Sequence, residues 1–130
     1  MAITASTARQ YPLCARVTFV ETDLPLAATA YAALTLPPNA VVIGGHLDIA
    51  TAFDGGADVT LTVSGGGVST AALDADAAAL HTLVTTTGDA QAAGDTVDIT
   101  LGGTIGGTAG VASLVIFYIV VGRENEVQDD

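Results

Sequence analysis

The sequence predicts an all-β domain: an antiparallel β-sandwich or jelly roll with Gly-rich hairpin loops and at most one short helix. Three observations carry that prediction. Apolar residues recur with period two in several short runs, the spacing of a half-buried strand. Glycine-rich stretches separate these runs, as turns between strands require. Nowhere do strands alternate with long helical patterns, which argues against a parallel α/β sheet.

The elements follow in order. Residues 1–14 are small and polar and read as an N-terminal arm. Residues 15–122 form a single domain, and residues 123–130 an acidic tail. In the first strand Val17 and Phe19 alternate with Arg16 and Thr18. Residues 23–40 hold three of the four prolines; the Ala-rich middle reads as irregular or weakly helical, and Pro37-Pro38 imposes an extended, kinked connection. VVIGGHLDIATAF then places Val41, Ile43, Leu47, Ile49 and Phe53 among small or polar residues, and Gly44-Gly45 marks a bulge or a close backbone approach. Residues 54–58 turn the chain like a hairpin into VTLTV, where Val59, Leu61 and Val63 alternate with threonines. SGGG ends that strand. Residues 70–80 fit a short helix, with Asp74 and Asp76 in its early part, or a strand beginning near His81. The last third reads as a second hairpin: Val97, Ile99 and Leu101, then the loop GGTIGGTAG, then the run 111–121.

Composition narrows the function classes. Half the residues are hydrophobic, but only 5% are aromatic and none is Trp. Much of the remainder is alanine, which buries little area at about 25 cal/mol per Å². Such a lean core is commonly completed by oligomerisation. Fourteen acidic residues face three arginines and no lysine, a formal charge of −11. That balance argues against nucleic acid and anionic membrane surfaces, which need Lys/Arg clusters. Cys14 is the one cysteine, so neither an internal disulfide nor a cysteine zinc site is available; its neighbours Leu13 and Ala15 suit a small buried hydrophobe. MAITASTARQ lacks a charged and an apolar signal-peptide region, so synthesis in a cytoplasm without export is expected.

The candidate chemistry is thin. Neither Gly-rich loop carries the Gly-Lys-Ser/Thr of a P-loop or opens a long helix. His46 and Asp48 share one strand face at i, i+2 and could both reach a metal, a spacing that a solvated strand face explains as well. Asp74 and Asp76 lack the further ligands of an EF-hand. Asp54 and Asp58 flank a double glycine and read as turn formers bonding local amides, ahead of a weak calcium site. No Gly-x-Ser-x-Gly elbow supports a serine hydrolase. No catalytic residue, metal or cofactor is expected, and the chain does not read as an enzyme.

Two stretches carry a resemblance. LPPNAVVIGGHLDIATAFDGGADVTLTV, with its proline turn leading to a VV..G strand and a T-A-F hairpin, is similar to small virion proteins of tailed bacteriophages. TAGVASLVIFYIVVGRENE resembles the closing strand of the same proteins, with its tyrosine and Gly-Arg-x-x-Glu ending. The family resembled is that of capsid decoration, or cement, proteins. The resemblance implies a β-sandwich or jelly-roll subunit that binds the major capsid protein as a homotrimer on the capsid exterior and stabilises the head. It brings no catalytic residue. A tail, fibre or carbohydrate-binding jelly-roll module is the alternative.

The run 111–121 is the most hydrophobic stretch. Eleven residues cannot span a bilayer, which takes about 20. Both of its alternating sets are apolar, so a strand here needs cover on both faces. Leu114, Ile116, Tyr118 and Val120 are expected in the sandwich core. Val115, Phe117, Ile119 and Val121, with Arg123 at the rim, form the candidate subunit interface.

Overall fold

Pairing between segments far apart in sequence organises the chain. The structure, a computed structural model, describes residues 12–55, 58–83, 85, 94–103 and 106–120. Among the described residues nine strands run in order: β1 (Leu13–Val20), β2 (Ala30–Leu36), β3 (Ala40–Thr51), β4 (Thr60–Gly65), β5 (Val68–Ser69), β6 (Leu73–Asp74), β7 (Ala79–Thr82), β8 (Asp95–Gly102) and β9 (Val111–Val120). A single 3-10 turn, Glu21–Asp23, follows β1, and the described residues contain no α-helix. One sheet has the order β1-β9-β3-β7; the other has β2-β8-β4-β5, with β6 also on β4. Every strand pairing is antiparallel. Apart from β4, β5 and β6, which share a sheet, successive strands switch between the four-stranded and the five-stranded layer, as in a jelly roll.

The alternating runs land as their period requires. Val59, Leu61 and Val63, then Val97, Ile99 and Leu101, point inward and are buried. They meet Leu47, Ile49, Leu114 and Ile116 of the facing sheet in one core. The opposite faces of β4 and β8 carry Thr60, Thr62, Thr96, Asp98 and Thr100, so this sheet is polar outside.

Three expectations need correction, and one open choice is decided. Residues 30–36 form β2, not a weak helix: they pair with β8, and the ladder overrides the helical preference of alanine. Residues 70–80 are β6, a turn and the start of β7, so the strand alternative holds there. Neither β3–β4 nor β8–β9 is a hairpin. In each case the two strands lie in different sheets, so the loop is a crossing between layers. The hairpin is instead SGGG: Ser64 pairs with Ser69 and Gly65 with Val68. Its loop residues Gly66 and Gly67 have φ of 65° and 88°, the left-handed pair of a type I′ turn.

One tight turn and one bulge follow from local sequence. Pro38 and Asn39 occupy the centre of a tight turn that the Ala40 N–H closes onto the Pro37 carbonyl at 3.3 Å. Asn39 takes φ 67°, which asparagine tolerates at this place. The Gly44-Gly45 signal is met on both counts. The β3–β9 register slips between Val42 and Gly44, and a Cβ on Gly45 would collide with the Val115 carbonyl. The slip also changes which residues face the core: Val42 points inward before it and Leu47 after it, while Val41 and the bulged Ile43 lie on the outward side.

Candidate functional site

The outward face of the β1-β9-β3-β7 sheet collects several apolar residues that the core does not use. β9 runs between β1 and β3, with Arg16 opposite Val115 on one side and His46 on the other. Val115 lies flat between these neighbours and is only 7% exposed. Phe117 stands out at 37%, and the His46 ring tilts towards it with centroids 6.0 Å apart. Ile119 and Val41 continue the patch as cross-strand neighbours. Ile43 is 49% exposed beside them, and Leu80 on β7, opposite Asp48, is 64% exposed. Isolated exposed apolar residues are ordinary; a set gathered on one face across three strands marks an interaction surface.

A polar row crosses the same face. Ser113 is buried, its hydroxyl 3.0 Å from the Thr18 hydroxyl, and Arg16 Nη2 donates to Ser113 Oγ at 3.5 Å. Asp48 lies across Ser113 on β3. The face therefore holds Arg16 and Asp48 on opposite sides of β9.

Of the five interface residues read from the sequence, the structure brings Val115, Phe117 and Ile119 onto this face. Val121 and Arg123 lie outside the described residues, as do the arm up to residue 11 and the acidic tail. Val41, Ile43 and Leu80 were not foreseen. Cys14 is exposed, not buried: it pairs with Phe117 on the outward register of β1, because Val17 and Phe19 fix the inward one. His46 and Asp48 do share a face. Among the described residues no three His, Cys, Asp or Glu side chains gather as a metal site.

A second feature escaped the sequence reading. Glu21, at the end of β1, is buried, and its carboxylate gathers three amides. Oε1 accepts from Asp54 at 3.0 Å and Gly110 at 3.2 Å, and Oε2 from Gly55 at 3.1 Å. The Glu21 N–H donates to the Gly110 carbonyl at 2.9 Å. Asp54 Oδ1 accepts from Thr108 at 2.8 Å and Ala109 at 3.1 Å. Those amides are 54 and 55 positions away, so Asp54 is no local turn former. Two carboxylates thus fasten both sheet crossings to the end of β1. Asp76, by contrast, pairs with Asp74: a hydrogen bond with that carboxyl, with desolvation next, holds its pKa up.

The Asp54 carboxyl is held below its ordinary value of 3.8, first by the Ala109 amide and then by that of Thr108. A lowered carboxylate pKa contributes stability that is complete above the ordinary value and lost as pH falls through the folded value. Denaturant midpoints are therefore expected to fall below about pH 4 more steeply in the natural chain than in Asp54→Asn, which keeps the acceptor oxygen without the titration. Equal slopes from pH 5 to pH 2 would refute this.

No family model matches the sequence, and no curated protein matches it. Solved structures do. A chain in the capsid of Ralstonia phage GP4 superposes with a TM-score of 0.68 at 16% identity, over 92% of this chain and 91% of that one. The jelly roll is shared with bacteriophage capsid chains. In the cyanophage Pam1 capsid asymmetric unit the TM-score is 0.63 at 17% identity, over 92% of each chain. For the acidic stable capsid of Helicobacter pylori bacteriophage KHP30 it is 0.56 at 16%, over 87% of this chain and 94% of that one. At such identities the likeness establishes the fold, and it covers nearly the whole of each partner.

Proposed function

We propose that this protein is a bacteriophage virion structural protein: a capsid decoration, or cement, protein that binds the major capsid lattice from outside as a homotrimer and stabilises the head. The observation that carries this reading is the whole-length likeness to capsid chains. Each matched chain is about as short as this one, which favours an accessory subunit over the shell's own building block. Made in the host cytoplasm, the subunit would reach its place by binding alone, and its role is mechanical, not catalytic. Binding to the assembled lattice stabilises both partners by mass action. A trimer engaging several lattice positions gains avidity without any tight single contact.

The test is addition of purified protein to undecorated heads of the matching phage, followed by sedimentation and image reconstruction. Regularly spaced density at lattice points, with heads surviving higher temperature, is the expected result. A protein that ignores mature and immature heads alike, or that instead gives clear hits on a glycan array, would overturn the reading.

A further inference from the structure

The two faces of this sandwich differ in kind. The β2-β8-β4-β5 sheet turns threonines and Asp98 outward, while the β1-β9-β3-β7 sheet turns Phe117, Ile119, Val41, Ile43 and Leu80 outward. A chain with a formal charge of −11 repels copies of itself over most of its surface. This face is the exception. Among the described residues Asp48 is the one acidic group on its outward register, and Arg16 is the one arginine. The two lie on opposite sides of β9, Arg16 on edge strand β1 and Asp48 beside Leu80 of edge strand β7.

We infer that this face is closed by a second copy of the same chain, with the β1 margin of one copy against the β3–β7 margin of the next. A head-to-tail contact closes into a ring when its rotation divides the full turn, as three copies require. It places Arg16 of one copy against Asp48 of its neighbour while the exposed apolar residues, Phe117 foremost, are removed from water near the axis. This deepens the reading given above and rests on it for the choice of three copies. It also extends the interface foreseen on β9 alone to β1, β3 and β7.

The experiment reads oligomeric state by light scattering on the purified full chain, with no capsid present. The natural protein is expected to run at three times the chain mass. Phe117→Asp is expected to run as a monomer with an unchanged circular dichroism spectrum; if it fails to fold, Leu80→Asp, at a more exposed position, replaces it. Arg16→Asp and Asp48→Arg are each expected to weaken association by about tenfold, and the double exchange to restore it. A natural protein that is monomeric, or single exchanges that leave association unchanged, or a double exchange no better than the singles, would overturn the inference. Head binding is measured separately: a rescued trimer that ignores capsids refutes the decoration role and leaves this interface standing.

Discussion

Replacing Glu21 by alanine is expected to lower stability by about 3 kcal/mol or more, a drop of roughly 10 °C in the unfolding midpoint. The carboxylate is buried, and it is the acceptor for the amides of Asp54, Gly55 and Gly110. Those amides belong to the two loops that carry the chain between sheets. With Glu21 gone, each loses a charged acceptor, and a buried amide left unsatisfied costs about 1–3 kcal/mol. The loops cannot easily supply a substitute, since the Asp54 carboxylate already serves the Thr108 and Ala109 amides. Glu21→Gln should fall between: it keeps one oxygen but turns an NH₂ towards an amide donor. Asp23→Ala is the control, because Asp23 accepts the exposed Val20 N–H at 3.0 Å, and its removal should cost less than about 1 kcal/mol. Equal midpoints for Glu21→Ala and Asp23→Ala in chemical denaturation would show that the clasp contributes nothing.

The clasp also shows where sequence reasoning stopped. Val59–Val63 and Val97–Leu101 were legible because alternation alone decides which side of a strand is buried. β9 was legible as doubly apolar for the same reason. β2 was not, because AYAAL has no strand preference of its own; its state is set by the β8 partner sixty-odd positions away in the chain. Loop length likewise says how far two strands can separate, not whether they pair. The Gly-rich connections after Phe53 and Leu101 therefore looked like hairpins although they cross between layers. The bulge at Ile43 was announced by Gly44-Gly45, but its consequence, moving Val41 and Ile43 to the outer face, depends on the β9 register. Glu21 gave no signal. A buried acid is recognisable only through the amides that surround it, and these come from loops 33 to 89 positions away. The candidate face was half visible: β9 named itself, whereas its apolar neighbours on β3 and β7 became its neighbours only through folding.

Two residues three positions apart on β9 separate the core from that face. Leu114→Ala is expected to destabilise the chain by about 2–5 kcal/mol, since Leu114 is fully buried against both sheets and its truncation leaves a cavity. In a core this poor in large side chains, that is a substantial part of a total of about 5–15 kcal/mol. Phe117→Ser removes a larger side chain from the outward register, where 37% of it already meets solvent. For the single chain the loss should stay near 1 kcal/mol. The two losses differ further in how they depend on protein concentration. A core defect lowers the unfolding midpoint equally at every dilution, whereas a defect in a contact between copies matters only where the assembled form is populated. Unfolding followed from nanomolar to high micromolar concentration should therefore show a constant gap for Leu114→Ala. For Phe117→Ser the gap should widen as the natural protein gains stability from association. A constant gap at both positions would make Phe117 an ordinary contributor to the fold of one chain, and the apolar face would then have no claim to a second copy.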